Sequence, residues 1–213
     1  MSADVVILTG PPGAGKSTTA RVLAATYPAS VHLHADDFWH YIVSGATLPY
    51  LPESDEQNQV VMGVIRRAAF GYAAGGFTTV IDGIIGPWML RHFDYLDEAV
   101  ASVRLHYAVL RPAREETVRR AVGRMAPDAL VDEEVVTVLW EQFSDLGRLE
   151  GHVIDTTDQE PAETVRVLSD AVAADRLLLD TAARSVPLRS EHRAGGTYRG
   201  AISNPDRRGP RSI

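Results

Sequence analysis

The residues best suited to chemistry lie near the start of the chain, in Gly10-Pro11-Pro12-Gly13-Ala14-Gly15-Lys16-Ser17-Thr18. The spacing G-x-x-x-x-G-K-[ST] is complete. It falls between the apolar run Val5 to Leu8, which reads as a strand, and a stretch from Lys16 to Thr26 that reads as a helix. Glycines let such a backbone wrap closely around phosphate oxygens, with successive N–H groups turned inward. The helix start adds a partial positive charge. Lys16 is expected to reach the β- and γ-phosphates of a nucleoside triphosphate, and the Ser17 hydroxyl to ligate Mg²⁺. Lys16 is also the only lysine in the chain.

Two further groups of carboxylates stand where strands end. Asp36-Asp37 follows Val31-His32-Leu33-His34, and Asp82 ends Thr78 to Ile81. A carboxylate at the first place can take a proton from an acceptor hydroxyl while that oxygen attacks the γ-phosphorus. The competing role for Asp36 or Asp37 is to cap the short helix that follows. Hydrolytic P-loop ATPases commonly place a water-activating Glu directly after the Asp of the later strand. Here Gly83 stands in that position.

These residues need a scaffold, and the apolar pattern supplies one. Short β-branched runs alternate with longer helical stretches: Asp55 to Ala74, Trp88 to Val100, Ala113 to Arg124, Asp132 to Leu146 and Pro161 to Ala174. Further strands are expected at Val103 to Leu110 and His152 to Asp155. Alternation of this kind implies right-handed βαβ units and a parallel sheet with helices on both faces. Ligands of such sheets collect at the carboxyl ends of the strands, where the Gly-rich loop, Asp36-Asp37 and Asp82 converge.

The quoted segments, with His34-Ala35-Asp36-Asp37-Phe38 and Val80-Ile81-Asp82-Gly83, resemble the small P-loop kinases. That group includes gluconate and shikimate kinases, chloramphenicol phosphotransferase, zeta-toxin-type kinases and the kinase domain of phage polynucleotide kinase. The resemblance covers about residues 4 to 174 and is most specific in the phosphate loop. It implies a P-loop NTPase three-layer sandwich with a five-stranded parallel sheet in the order 2-3-1-4-5. It also implies ATP and Mg²⁺, with Asp36 as general base and Asp82, with Ser17, as a metal-site residue that helps hold the magnesium–water cluster or the acceptor.

The same resemblance directs attention to arginines that close over phosphates. Arg111, Arg114, Arg119, Arg120 and Arg124 lie on or beside one expected helix, and Arg120 and Arg124 share a face at i, i+4. The competing role is a solvated face paired with Glu115 and Glu116. The loop Met125 to Val131 is a candidate lid. On the acceptor side Asp37, Trp39, Tyr41, Tyr50 and Trp88 suit a small organic molecule, and Arg91 with His92 suits an anionic group on it. His32 and His34 are expected on an interior strand, in packing rather than metal binding.

Composition narrows the classes. The chain has 213 residues and no Cys, which removes disulfides and cysteine nucleophiles. Seven Arg against Glu191 and Asp206 give residues 184–213 a charge of +5, leaving −12 on the rest of a chain whose net charge is −7. An acidic body disfavours nucleic acid as a partner. One kinase-like domain is expected over residues 1–183, followed by a basic tail, 184–213, whose Gly, Pro and Arg content suits disorder. The run Val5 to Leu8 is too short for a membrane span or signal sequence, so a cytoplasmic location is expected. The leading expectation is a kinase for a small hydroxyl-bearing molecule. The alternatives are a polynucleotide 5′-kinase, a zeta-toxin-like kinase and a regulatory protein that binds ATP without transfer. Homo-oligomerisation is left open.

Overall fold

The computed structural model describes residues 3–49, 51–93, 102–123 and 131–179. The tail 184–213, Arg124 and Tyr50 lie outside them. Five strands form one parallel sheet in the order β2-β3-β1-β4-β5: β1 Val5–Thr9, β2 Ser30–His34, β3 Thr78–Asp82, β4 Leu105–Leu110 and β5 Val153–Ile154. The central strands β1 and β4 are buried at every residue, as expected of strands covered on both faces. β2 is an edge strand of intermediate burial along its length, so His32 and His34 are not on an interior strand.

Side-chain alternation divides the core into two layers. Val6, Leu8, Val80, Ala108 and Leu110 face helices α1 (Lys16–Ala25) and α6 (Pro161–Ala173). Val5, Ile7, Ile81, Tyr107 and Val109 face α3 (Asp55–Ala74), which contributes Val61, Met62, Ile65, Ala69, Phe70 and Ala73 from one stripe. The remaining helices are α2 (Ala35–His40), α4 (Arg114–Val122) and α5 (Glu133–Glu141). Beyond α6 the chain returns to β4, where Tyr107 donates to the Leu177 carbonyl and Leu179 to that of Leu105.

Three expected elements are shorter or of another kind. In place of a helix from Trp88, a tight 3₁₀ stretch runs over Pro87–Phe93. It buries Leu90 and Phe93, three residues apart, a spacing that suits three residues per turn. The rest of that expected helix, 94–100, is outside the described residues. α5 stops at Glu141 because Phe143, fully buried, turns into the core. β5 has only Val153 and Ile154, paired with Val109 and Leu110. Next to it, Asp155 accepts from the Thr157 N–H and turns the chain away.

Candidate active site

The phosphate loop joins β1 to α1 and is tightly packed from beneath. Gly10 and Gly13 have φ of 142° and 88°. A Cβ on Gly10 would lie 2.1 Å from the Leu110 carbonyl oxygen, and one on Gly13 2.4 Å from that of Thr117. Only glycine meets both demands, so the chain can run close over β4 and α4 and curl its amides inward. Gly10 to Ala14 and Lys16 are buried, Gly15 and Ser17 are partly so, and Thr18 is exposed. Gly15 caps α1 from the left-handed region. Lys16 Nζ donates to the Pro11 carbonyl at 2.9 Å, which holds the ammonium across the loop. A cradle of amides at a helix start, with one buried lysine, fits a triphosphate.

Register places the next groups. In β3, Val80 and Asp82 share the face that looks toward α1, and Val80 packs in that layer. The Asp82 carboxylate is 0% exposed and accepts from Ser17 Oγ at 2.5 Å through Oδ2. The β2–β3 pairing sets His34 directly opposite Asp82, with His32 two residues back on the same face. His32 Nε2 lies 2.6 Å from Asp82 Oδ1, and His34 Nδ1 lies 3.1 Å from both carboxylate oxygens. Burial would raise the Asp82 pKa, but hydrogen bonds from His32 and Ser17 and the contact with His34 hold it below the usual carboxylate value. Burial lowers the His34 pKa; Asp82, helped by Asp36 and Asp37, more than reverses this and raises it. A serine hydroxyl backed by an anionic carboxylate is a donor set that fits magnesium.

Asp36 and Asp37 lie in the first turn of α2, which starts at Ala35 just beyond His34. The helix is capped by His34 without a side-chain hydrogen bond, so neither Asp acts as its cap. Both are exposed, Asp36 at 62% of its side chain, and Asp36 Oδ2 lies 3.9 Å from His34 Nε2. One imidazole therefore stands between the carboxylate behind Ser17 and the carboxylate open to an acceptor. Gly83 follows Asp82 against Ala35: a Cβ there would meet the Ala35 methyl at 2.6 Å. That position has no room for a Glu.

On the acceptor side, Trp39 is half-buried and its indole donates to Asn58 Oδ1 at 2.8 Å. Asn58 in turn donates to the Pro49 carbonyl and to Ser54 Oγ. Gln57 binds both the N–H and the carbonyl of Thr47. Trp88 is half-buried with its ring 6.1 Å from that of Phe143, and Arg91 is exposed. Opposite, the loop after Gly83 is pinned where Ile85 N–H donates to Thr9 Oγ1 and Tyr107 donates its hydroxyl to the Ile85 carbonyl.

Arg111, Arg119 and Arg120 are engaged in ion pairs. Arg120 pairs with Glu116 at 2.5 Å and donates to the carbonyls of Thr156 and Thr157, tying α4 to the turn after β5. Arg119 pairs with the same Glu116, whose carboxyl the Arg119 hydrogen bond, aided by Arg120, pulls down to about 2. Arg111 forks onto Glu150 at 2.9 and 2.8 Å. Arg124 and the candidate lid through residue 130 lie outside the described residues.

Two parts of this site were not expected. One is the pair His32 and His34, assigned to packing although their i, i+2 spacing on a strand before Asp36 was an available signal. The other is the Gln57–Asn58 pair, whose partners lie in a loop with no readable pattern.

Comparison with known proteins agrees with this architecture. A family model described as an AAA domain matches residues 5–146, well over half of the chain, and the chain belongs to that family. No curated protein matches it in sequence. Among solved structures it is similar to a sugar kinase from Janibacter sp. HTCC2649, with TM-score 0.56 and 19% identity, covering 84% of this chain and 99% of that one. It is similar to the tunicamycin resistance protein of Deinococcus radiodurans, with TM-score 0.58 and 14% identity, again over 84% and 99%. It is also similar to a chain of an RNA repair complex, with TM-score 0.52 and 20% identity, covering 68% of this chain but only 45% of that one. What it shares with them is a P-loop NTPase fold, present here as a parallel sheet in the order 2-3-1-4-5 between helices. Among the described residues no helix is long and apolar enough to cross a membrane.

Proposed function

We propose that this member of the AAA domain family is an ATP-dependent kinase that phosphorylates a hydroxyl group of a small molecule, with Asp36 as general base. The observation that carries the reading is the row Ser17–Asp82–His34–Asp36, which sets an exposed carboxylate beside a complete phosphate loop. Gly83 supports transfer to a hydroxyl rather than to water, since the position after Asp82 cannot hold a water-activating Glu.

In this reading the loop wraps the phosphates from Gly10 to Thr18. The N–H groups of Gly13 to Thr18 and the Lys16 ammonium are the donors, since Pro11 and Pro12 have no N–H to give. Ser17 would give its hydroxyl to magnesium with Asp82 behind it. Magnesium, when bound, spreads the charge of the transferring phosphoryl group. The acceptor oxygen attacks the γ-phosphorus as Asp36 takes its proton; the bond to the β-phosphate oxygen breaks and ADP leaves. Asp37, Trp39, Trp88 and Arg91 border the acceptor, aromatic walls with a few polar groups suiting a small organic molecule. Arg120, and Arg124 beyond it, are the candidates to offset charge during transfer; Arg120 would have to give up its carbonyl partners to do so. A cytoplasmic location goes with this use of ATP.

A polynucleotide acceptor is favoured only by the likeness to the RNA repair chain, and the acidic body weighs against it. The test is Asp36→Asn, assayed for ADP production against hydroxylated metabolites, antibiotics and 5′-hydroxyl oligonucleotides. The expected result is unchanged ATP affinity with phosphotransfer reduced on the order of 10²–10⁴-fold. Full transfer by the variant would remove Asp36 from the mechanism. A wild-type protein that binds ATP but consumes it with no acceptor would favour a regulatory role.

A further inference from the structure

Asp82 is a fully buried carboxylate surrounded by hydrogen-bond donors. Ser17 Oγ takes one side of Oδ2, and His32 Nε2 takes Oδ1 at 2.6 Å. His34 Nδ1 lies 3.1 Å from each oxygen. A buried carboxylate without partners is costly, and this one is held from both sides. The two rings come from an edge strand and are partly open to solvent, 21% for His32 and 36% for His34. The hydrophobic layer does not require imidazoles there. Their nitrogens are aimed at one oxygen pair, whose orientation then decides how the Ser17 hydroxyl points.

We propose that His32 and His34 are positioning residues for the magnesium end of the nucleotide site, acting through Asp82 on Ser17. His32 fixes Oδ1, which leaves Oδ2 turned to Ser17 Oγ. His34 steadies the carboxylate and presents its other nitrogen toward Asp36. Neither ring serves as a ligand, because the nitrogen that each aims at the site is already engaged with Asp82. Asp82 itself, with both oxygens occupied by protein donors, acts on the ion through Ser17 and the water around it rather than by direct coordination. Outer partners of this kind are worth ~10–100-fold in metal affinity. The inference rests on the proposed reading of Ser17 as the magnesium ligand, but not on any acceptor.

The experiment measures ATP binding by calorimetry at increasing Mg²⁺ and in EDTA, with the full chain and the variants His32→Leu, His32→Gln and His34→Ala. For wild type, Mg²⁺ tightens ATP binding. His32→Leu is expected to need about 10-fold more Mg²⁺ for the same tightening, with affinity in EDTA unchanged within about twofold. His32→Gln, whose amide can still donate to Oδ1, recovers most of that loss. An equal loss of affinity with and without Mg²⁺ would mean a merely structural role and would overturn the proposal. So would an unaltered Mg²⁺ requirement in both His32→Leu and His34→Ala. If His32→Leu does not fold, His34→Ala and His32→Gln carry the same readout. A protein that loses Mg²⁺ dependence in these variants yet phosphorylates nothing would sink the kinase reading alone. A competent kinase whose variants bind Mg²⁺ and ATP normally would sink this inference alone.

Discussion

Gly83 occupies the place where hydrolytic P-loop ATPases keep their water-activating Glu, and its surroundings determine what it can become. The Ala35 methyl would be 2.6 Å from any Cβ at this position. Ala35 is itself buried at the first residue of α2, so neither partner can yield without moving Asp36. Gly83→Ala is therefore expected to destabilise the protein by about 1–3 kcal/mol, as overpacking in a core does. Urea unfolding would measure it, and a variant with the wild-type midpoint would show that α2 shifts at little cost. For the same reason Gly83→Glu should not convert the site to ATP hydrolysis. Arg120 presents a contrast at this scale. Its type and spacing read as a phosphate clamp, and its guanidinium here holds Glu116, Thr156 and Thr157, partners it would exchange for phosphate in that role.

At the scale of elements, the proposed acceptor side is built from loops fastened to helices. Asn58, in the first turns of α3, links the Trp39 indole on α2 to Ser54 and Pro49 in the loop between them. Replacing it with Leu frees the indole and the loop together while leaving the phosphate loop untouched. Asn58→Leu is expected to raise the KM for the acceptor several-fold, with ATP affinity unchanged and a shift in tryptophan fluorescence. Loss of ATP affinity would contradict this division of the site. The same contrast explains what the sequence revealed. The phosphate loop, β1 and α3 were legible because glycine spacing, buried runs and an apolar stripe are local patterns, whereas the strand order came only with the family resemblance. The helix expected from Trp88 and the full length of α5 were not, because Leu90, Phe93 and Phe143 answer to core positions set by distant strands. The hold of His32 and His34 on Asp82 spans 50 and 48 residues and becomes visible only once β2 pairs with β3.

For the molecule as a whole, one buried group away from the phosphate loop is expected to contribute to how stability responds to acid. His106 in β4 is 0% exposed, its two ring nitrogens have no hydrogen-bond partner among the described residues, and Asp4 Oδ2 lies 3.4 Å from Nε2. Arg104, which forks onto Asp4 and also reaches Asp175, completes its charged surroundings. Burial lowers the His106 pKa below the ordinary 6.5; Asp4 and Asp175 oppose the shift and Arg104 adds to it. The sign follows from proton counting. Below 6.5 the unfolded chain takes a proton that the folded chain refuses, so stability is full above 6.5 and declines as pH falls toward the folded value. His92, lowered by burial and by Arg91 and Arg66, acts in the same sense. His34 is raised and acts oppositely, contributing most below 6.5 and losing that contribution as pH rises through its folded value. The lowered carboxyls of Glu150 and Asp155 contribute only to losses at more acidic pH. The urea midpoint is thus expected to fall between about pH 7 and pH 5, with His106 a main source. His106→Leu, which fills the same buried space without a titrating group, should flatten that slope and leave the midpoint at pH 8 nearly unchanged. If the variant keeps the wild-type slope, the proton is taken up elsewhere and His106 adds nothing to the acid response.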